Sequence, residues 1–109
     1  MFLITVRAYS DYDISYNIPV IVVGNYKKSN EIINILNSFS KNHNQNGKDK
    51  KLSEVLKDNL LYKELNDLLN QKINKHDTDI IIKKLTDICK NKYVFVYDDI
   101  FNILEVVEL

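Results

Sequence analysis

The residues closest to a catalytic constellation are two pairs of carboxylates, Asp11 with Asp13 and Asp98 with Asp99. Hard cations such as Mg²⁺ take oxygen ligands, usually one or two carboxylates together with substrate phosphates. Four carboxylates converging at one end of a sheet would suit a metal-dependent nuclease or hydrolase, and that is the enzymatic alternative. Turn chemistry accounts for the same residues, because Asp side chains bond to the local backbone. His43, His76 and Cys89 match no zinc spacing. A Cys–His nucleophile would need Cys89 exposed beside a histidine. Cys89 instead lies in a stretch of helical periodicity, where a thiol is buried as a small hydrophobe. With two glycines in the chain, no glycine-rich phosphate cradle can be built. No catalytic residue, resident metal or cofactor is expected.

Binding chemistry is more plentiful. Lys41, Lys48, Lys50 and Lys51, with His43 and Asp49, form a basic run that could neutralise nucleic-acid phosphates. The run has no aromatic residue for base stacking, and the chain has a single arginine, Arg7, so nucleic acid is the lesser alternative. Tyr9, Tyr12, Tyr16 and Tyr26 fall within 18 residues, around Asp11 and Asp13. Tyrosine supplies large amphipathic contact area at low entropic cost. An acidic, tyrosine-bearing surface suits a protein partner with a basic face, and it imitates the phosphates of nucleic acid. The expected contact residues are Tyr9, Asp11, Tyr12, Asp13, Tyr16 and Tyr26, supported by Asp98 and Asp99. The competing structural role for these tyrosines is half-buried cover on a sheet.

The elements that must carry these residues follow from periodicity. Phe2–Tyr9 alternates, with Phe2, Ile4, Val6 and Ala8 on one face, which predicts a strand. Residues 10–17 read as a polar turn. Ile18–Val23 is a second, β-branched strand that should pair with the first as an antiparallel hairpin. Ser29 is the expected N-cap of a first helix whose stripe is Ile32, Ile33, Leu36 and Phe39. Residues 40–51 read as a mobile loop. Ser53 should cap a second helix running to about Asn74, whose apolar stripe drifts near Asp58–Asn59 and leaves room there for a break into two short helices. Asp77 should open a third helix that buries Ile81, Leu85 and Ile88. Tyr93–Tyr97 and Phe101–Leu109 close the chain as strands, the last of them a sheet edge guarded by Glu105 and Glu108. The expected fold is one α+β domain over residues 1–109. Its antiparallel sheet has about four strands from both chain ends, with three helices on one face and the other face left wet.

Charge divides along the same lines. Residues 1–24 and 93–109 hold one base against six acids, a net of −5, while residues 25–92 hold 14 lysines against nine acids, a net of +5. Segregated charge selects partners by complementarity and speeds encounter. The lone cysteine excludes an intrachain disulfide and fits a reducing compartment, so a cytoplasmic location is expected. The longest apolar run, Ile18–Val23, contains Pro19 and falls far short of the ~20 residues a membrane span needs. The apolar N-terminus has no preceding basic region and is interrupted by Arg7, which argues against a secretory signal. The helix stripes leave room for a homodimer without requiring one.

Asn, Ile and Lys each occur 14 times, the composition of an AT-rich gene. The chain resembles many small proteins of phages and mobile elements in its order of strand, polar turn, second strand ending near glycine, helix and closing strand. The carriers are Phe2–Tyr9, Pro19–Gly24, Ser29–Phe39 and Asn102–Leu109, about half of the chain, and the helical residues 50–92 stand outside the pattern. The resemblance transfers no functional residue. It implies a non-enzymatic inhibitor or modulator of a host nucleic-acid-handling or defence protein, of the anti-CRISPR kind.

Overall fold

A computed structural model describes residues 1–9, 15–43, 52–94 and 100–106 of the chain. Three strands, β1 (Phe2–Tyr9), β2 (Ser15–Val23) and β3 (Phe101–Glu105), form an antiparallel sheet in the order β2-β1-β3. Four helices complete the fold: α1 (Tyr26–Asn42), α2 (Leu52–Lys57), α3 (Asn59–Lys72) and α4 (Lys75–Asn91). No helix among the described residues is long and apolar enough to cross a membrane.

Alternation on the central strand sets the layers. Ile4, Val6 and Ala8 are fully buried. Directly opposed residues of antiparallel strands share a face. Ile21 and Ile103 opposite Ile4, and Phe101 opposite Val6, therefore join them beneath the helices. Val20 is the extra residue of a bulge that shifts the β1–β2 register between Ile4 and Thr5. Pro19, beside the bulge, lies on an edge strand, where a missing N–H is tolerated. Against this face pack Ile32, Ile33, Leu36 and Phe39 of α1 and Ile81, Ile82, Leu85 and Ile88 of α4, in one core with Leu52, Val55, Leu65 and Leu69. Each fully buried side chain of this size contributes roughly 1.5–3 kcal/mol.

Several elements depart from the sequence expectation, each for a local reason. Helix α1 starts three residues before Ser29, because Asn25 is the cap and accepts from the Lys28 amide at 3.3 Å. Ser29 is buried instead and donates its hydroxyl to the Asn25 carbonyl. Helix α4 repeats the arrangement: Asn74, not Asp77, is the cap, accepting from the Asp77 amide at 2.8 Å, and the buried Thr78 donates to the Asn74 carbonyl. Ser53 lies inside α2 and not at its cap. The break at Asp58 is present, with Asp58 capping α3 through the Leu60 and Leu61 amides, so four helices stand where three were expected. Helix α1 runs through Lys41 and Asn42 into the segment read as loop, and His43 closes it. There the imidazole packs on Phe39 with ring centroids 4.3 Å apart and lies 3.2 Å from Glu64 of α3.

The sheet is also smaller than expected. Strand β2 already includes Ser15, Tyr16 and Asn17, which read as turn from their side chains alone. Among the described residues there is no separate fourth strand. Tyr93, where it should begin, makes an isolated bridge with Tyr9, its carbonyl accepting from the Tyr9 amide at 3.0 Å. The Arg7 amide donates to Ile100, two residues earlier on β1, so Tyr93 continues the β3 side of the sheet. Residues 95–97 of that expected strand, and 107–109 of the last, lie outside the described residues.

Candidate functional site

The helices occupy one side of the sheet. The other side is formed by Leu3, Thr5, Arg7 and Tyr9 of β1, with Val22, Pro19, Asn17 and Ser15 opposite them on β2 and Leu104 and Asn102 on β3. No described helix packs on it. At one end Val22, Leu3 and Leu104 form an apolar row across all three strands, and Val22 and Leu104 are 52% and 43% exposed. Neighbouring strands lie about 4.8 Å apart, so the row is about 10 Å wide. At the far end stand Tyr9 and Tyr93, the latter 51% exposed. Between them lies Arg7, the single charged side chain among the described strand residues of this face, which forms no ion pair with a described residue. Thr5 is buried between Pro19 and Asn102, and its hydroxyl has no hydrogen-bond partner among the described residues.

The described tyrosines of that expected set, Tyr9, Tyr16 and Tyr26, are distributed over the fold. Tyr9 belongs to the uncovered face. Tyr16, opposite the inward Ala8, points to the helix side, half-buried against the core, with the Lys92 ammonium 5.6 Å from its ring centroid. That placement matches the structural role of sheet cover. Tyr26 opens α1 and meets Phe2 edge-on at 5.3 Å. Phe2 and Tyr9 are the two ends of β1, about 23 Å apart at strand rise, so Tyr26 and Tyr9 mark opposite ends of the sheet. Lys41 lies in the last turn of α1. Asp11, Tyr12, Asp13, Asp98, Asp99, Lys48, Lys50 and Lys51 lie outside the described residues.

The residues that bracket the two acidic pairs are described, and they converge. Tyr9 pairs with Ser15 on one side and with Tyr93 on the other, while Ile100 is bonded to Arg7. The residues that flank segments 10–14 and 95–99 therefore all stand near the Tyr9 end of β1. Among the described residues no group of three or more His, Cys, Asp or Glu side chains is placed to hold a metal ion. Cys89 is half-buried, more exposed than its periodicity implied. Burial pushes its thiol up to about 12, against a smaller downward pull from Lys57, so it is a protonated, weakly nucleophilic thiol near neutral pH.

Sequence reasoning missed Leu3, Val22, Leu104 and Tyr93 as surface. The signal was present for Leu3, which sits on the polar face of an alternating strand. For Val22 it was hidden, because a β-branched run does not announce which residues face outward, and for Leu104 because it adjoins the equally apolar Ile103. No protein-family model matches the chain, and no curated protein or solved structure matches it.

Proposed function

We propose that this chain is a non-enzymatic binding module that docks on another protein through the uncovered face of its sheet. The carrying observation is the exposed apolar row Val22–Leu3–Leu104, which shares a nearly uncharged face with Tyr9 and Tyr93 in a chain that is 28% charged. Apolar side chains grouped on one face, and not scattered, are what a docking surface presents. The residues flanking the acid-bearing segments 10–14 and 95–99 stand at the tyrosine end of this face, so the partner that suits it combines an apolar patch with a basic rim. The resemblance to small phage and mobile-element proteins makes a nucleic-acid-handling host protein the class to test, with the chain as its inhibitor.

The test immobilises the chain and washes host-cell lysate over it at moderate salt, with the Val22→Asp/Leu104→Asp double variant as control. Both side chains are exposed, so the variant keeps its fold at a melting temperature lowered by the poor strand propensity of Asp, which thermal unfolding checks before the comparison. The reading expects a basic protein retained by the native chain and depleted at least about tenfold on the variant, the size of a lost hot spot. Equal retention by both sinks the assigned face. Retention of nucleic acid alone, weakening steeply with salt, transfers the function to the lysine alternative.

A further inference from the structure

A second surface, remote from the sheet face, has the form of a small-molecule site. Helices α2, α3 and α4 line an open cleft of about 360 Å³, formed by Leu56, Lys57, Tyr62, Thr86, Cys89 and Lys90. That volume is at the lower end of ligand pockets, roughly 300–1,000 Å³. The apolar part of its wall comes from Leu56, Tyr62 and Cys89, which are half-buried and packed on the core. Thr86 adds a methyl group but no free hydroxyl proton, because its Oγ1 donates to the Ile82 carbonyl at 2.8 Å. Cys89 adds a neutral thiol.

The charge lining the cleft itself is of one sign, while Asp79 and Asp87 lie in the adjoining groove that shares Tyr62, Thr86 and Lys90. Lys57 and Lys90 are both exposed, neither is in an ion pair with a described residue, and no acid lines the cleft. Each lysine stands in the last turn of its helix. A helix C-terminus carries about half a negative charge, so each ammonium more than offsets it and the rim stays positive. An apolar cleft with a doubly positive rim and a protonated thiol on its wall selects a molecule with a hydrocarbon body and one anionic head.

We infer that this cleft binds a medium-chain carboxylate, with the chain laid against Leu56, Tyr62 and Cys89 and the carboxylate held between Lys57 and Lys90. Binding is non-covalent and independent of the sheet face, so failure of either proposal leaves the other standing.

The probe is decanoate, titrated below its micelle-forming concentration by calorimetry, with decanol as the uncharged control. A second readout follows alkylation of Cys89 by iodoacetamide at alkaline pH, where the ligand should shield the thiol. The expectation is saturable, one-to-one binding of decanoate, weaker binding of decanol and slowed alkylation at saturation. The Lys57→Gln/Lys90→Gln variant should bind decanoate about tenfold more weakly, the sum of two partly desolvated ion pairs. Both lysines are exposed, so the variant keeps its fold, which its melting temperature checks. Decanoate binding no better than decanol, binding indifferent to the double variant, or binding that leaves Cys89 alkylation unchanged would each overturn the assignment.

Discussion

Asn37 is the buried polar residue on which the joint between the helical layer and the sheet edge depends. It is 8% exposed, and its side-chain amide faces the backbone of Phe101 on β3. Nδ2 donates to the Phe101 carbonyl at 3.3 Å, and Oδ1 accepts from the Phe101 amide at 3.1 Å. One asparagine thus supplies the donor and acceptor that a further strand would have offered at this position. Replacing Asn37 with alanine leaves both backbone groups without partners beside a residue that is 2% exposed. An unsatisfied buried group costs about 1–3 kcal/mol, so two groups cost about 2–6 kcal/mol. Water entering the vacated volume brings the expectation to the lower half of that range, about 2–4 kcal/mol. Against a typical total of 5–15 kcal/mol, that is a large fraction of the stability. Urea unfolding at 25 °C measures the loss, and hydrogen exchange at the Phe101 amide localises it. Asn37→Asp keeps the acceptor for the amide but faces the carbonyl with a carboxylate, so it should protect the Phe101 amide while remaining unstable. A loss below about 0.5 kcal/mol in Asn37→Ala, with Phe101 exchange unchanged, would refute the account, because a satisfied buried pair cannot vanish at that cost.

Two other joints give sharper local predictions. Lys28 of α1 pairs with Asp77 in the first turn of α4, and Asn74 donates to the same carboxylate at 2.9 Å. The Lys28 contact, with Asn74 adding to it against the opposing effect of burial, holds the Asp77 carboxyl below its ordinary 3.8. A depressed folded value means stabilisation that is present above 3.8 and lost as pH falls through the folded value. Asp77→Asn should therefore cost about 0.5–1 kcal/mol at neutral pH, and its melting temperature should converge on the native one in strong acid. A gap that persists unchanged there would contradict the pairing. Asp58→Ala removes the cap that accepts from Leu60 at 2.9 Å and Leu61 at 3.4 Å. It should cost about 1 kcal/mol, with faster amide exchange confined to the first turn of α3, and uniform acceleration along that helix would show that the cap is not local.

The inward faces were legible because burial imposes period two or 3.6 on any sequence that satisfies it. Ile4, Val6 and Ala8 could be placed on sight, as could Ile32, Leu36 and Phe39. Helix starts were less legible, since Ser29, Thr78 and Asp77 all have capping chemistry. The winning caps were the asparagines four residues before the two hydroxyls, whose carbonyls accept from Ser29 and Thr78. A hydroxyl one turn into a helix therefore looks like a cap in the sequence while bonding backwards to the real one. His43 reads as loop in the sequence because its neighbours are polar. Its fixed position comes from Phe39 and from Glu64, a residue 21 positions away that no local window includes. Tyr9, Tyr16 and Tyr26, the described tyrosines of the expected surface, stand apart for a related reason. Closeness along the chain places residues on opposite sides of a strand at every step, and a hairpin carries Tyr26 back to the end of the sheet where Phe2 begins.

The partition of charge acquires a direction once the helices are known to share one side of the sheet. The segment bearing +5 includes the whole helical layer, while five of the six acids of the −5 segments lie in 10–14, 95–99 and 107–109, outside the described strands. The described sheet face itself holds only Arg7. Contact through that face would then draw its lifetime from short-range apolar burial at Leu3, Val22 and Leu104, and its encounter rate from the net charge of the acid-bearing segments. The two are separable by salt, because screening beyond about 8 Å at physiological ionic strength slows steered association and leaves buried apolar contact untouched. Replacing Asp11, Asp13, Asp98 and Asp99 with asparagine should lower the association rate of a basic partner and flatten its salt dependence, with the dissociation rate nearly constant. Val22→Asp with Leu104→Asp should do the reverse. If both sets of substitutions changed only the dissociation rate, the acids would be part of the buried contact itself and the division between a steering rim and an apolar face would be wrong.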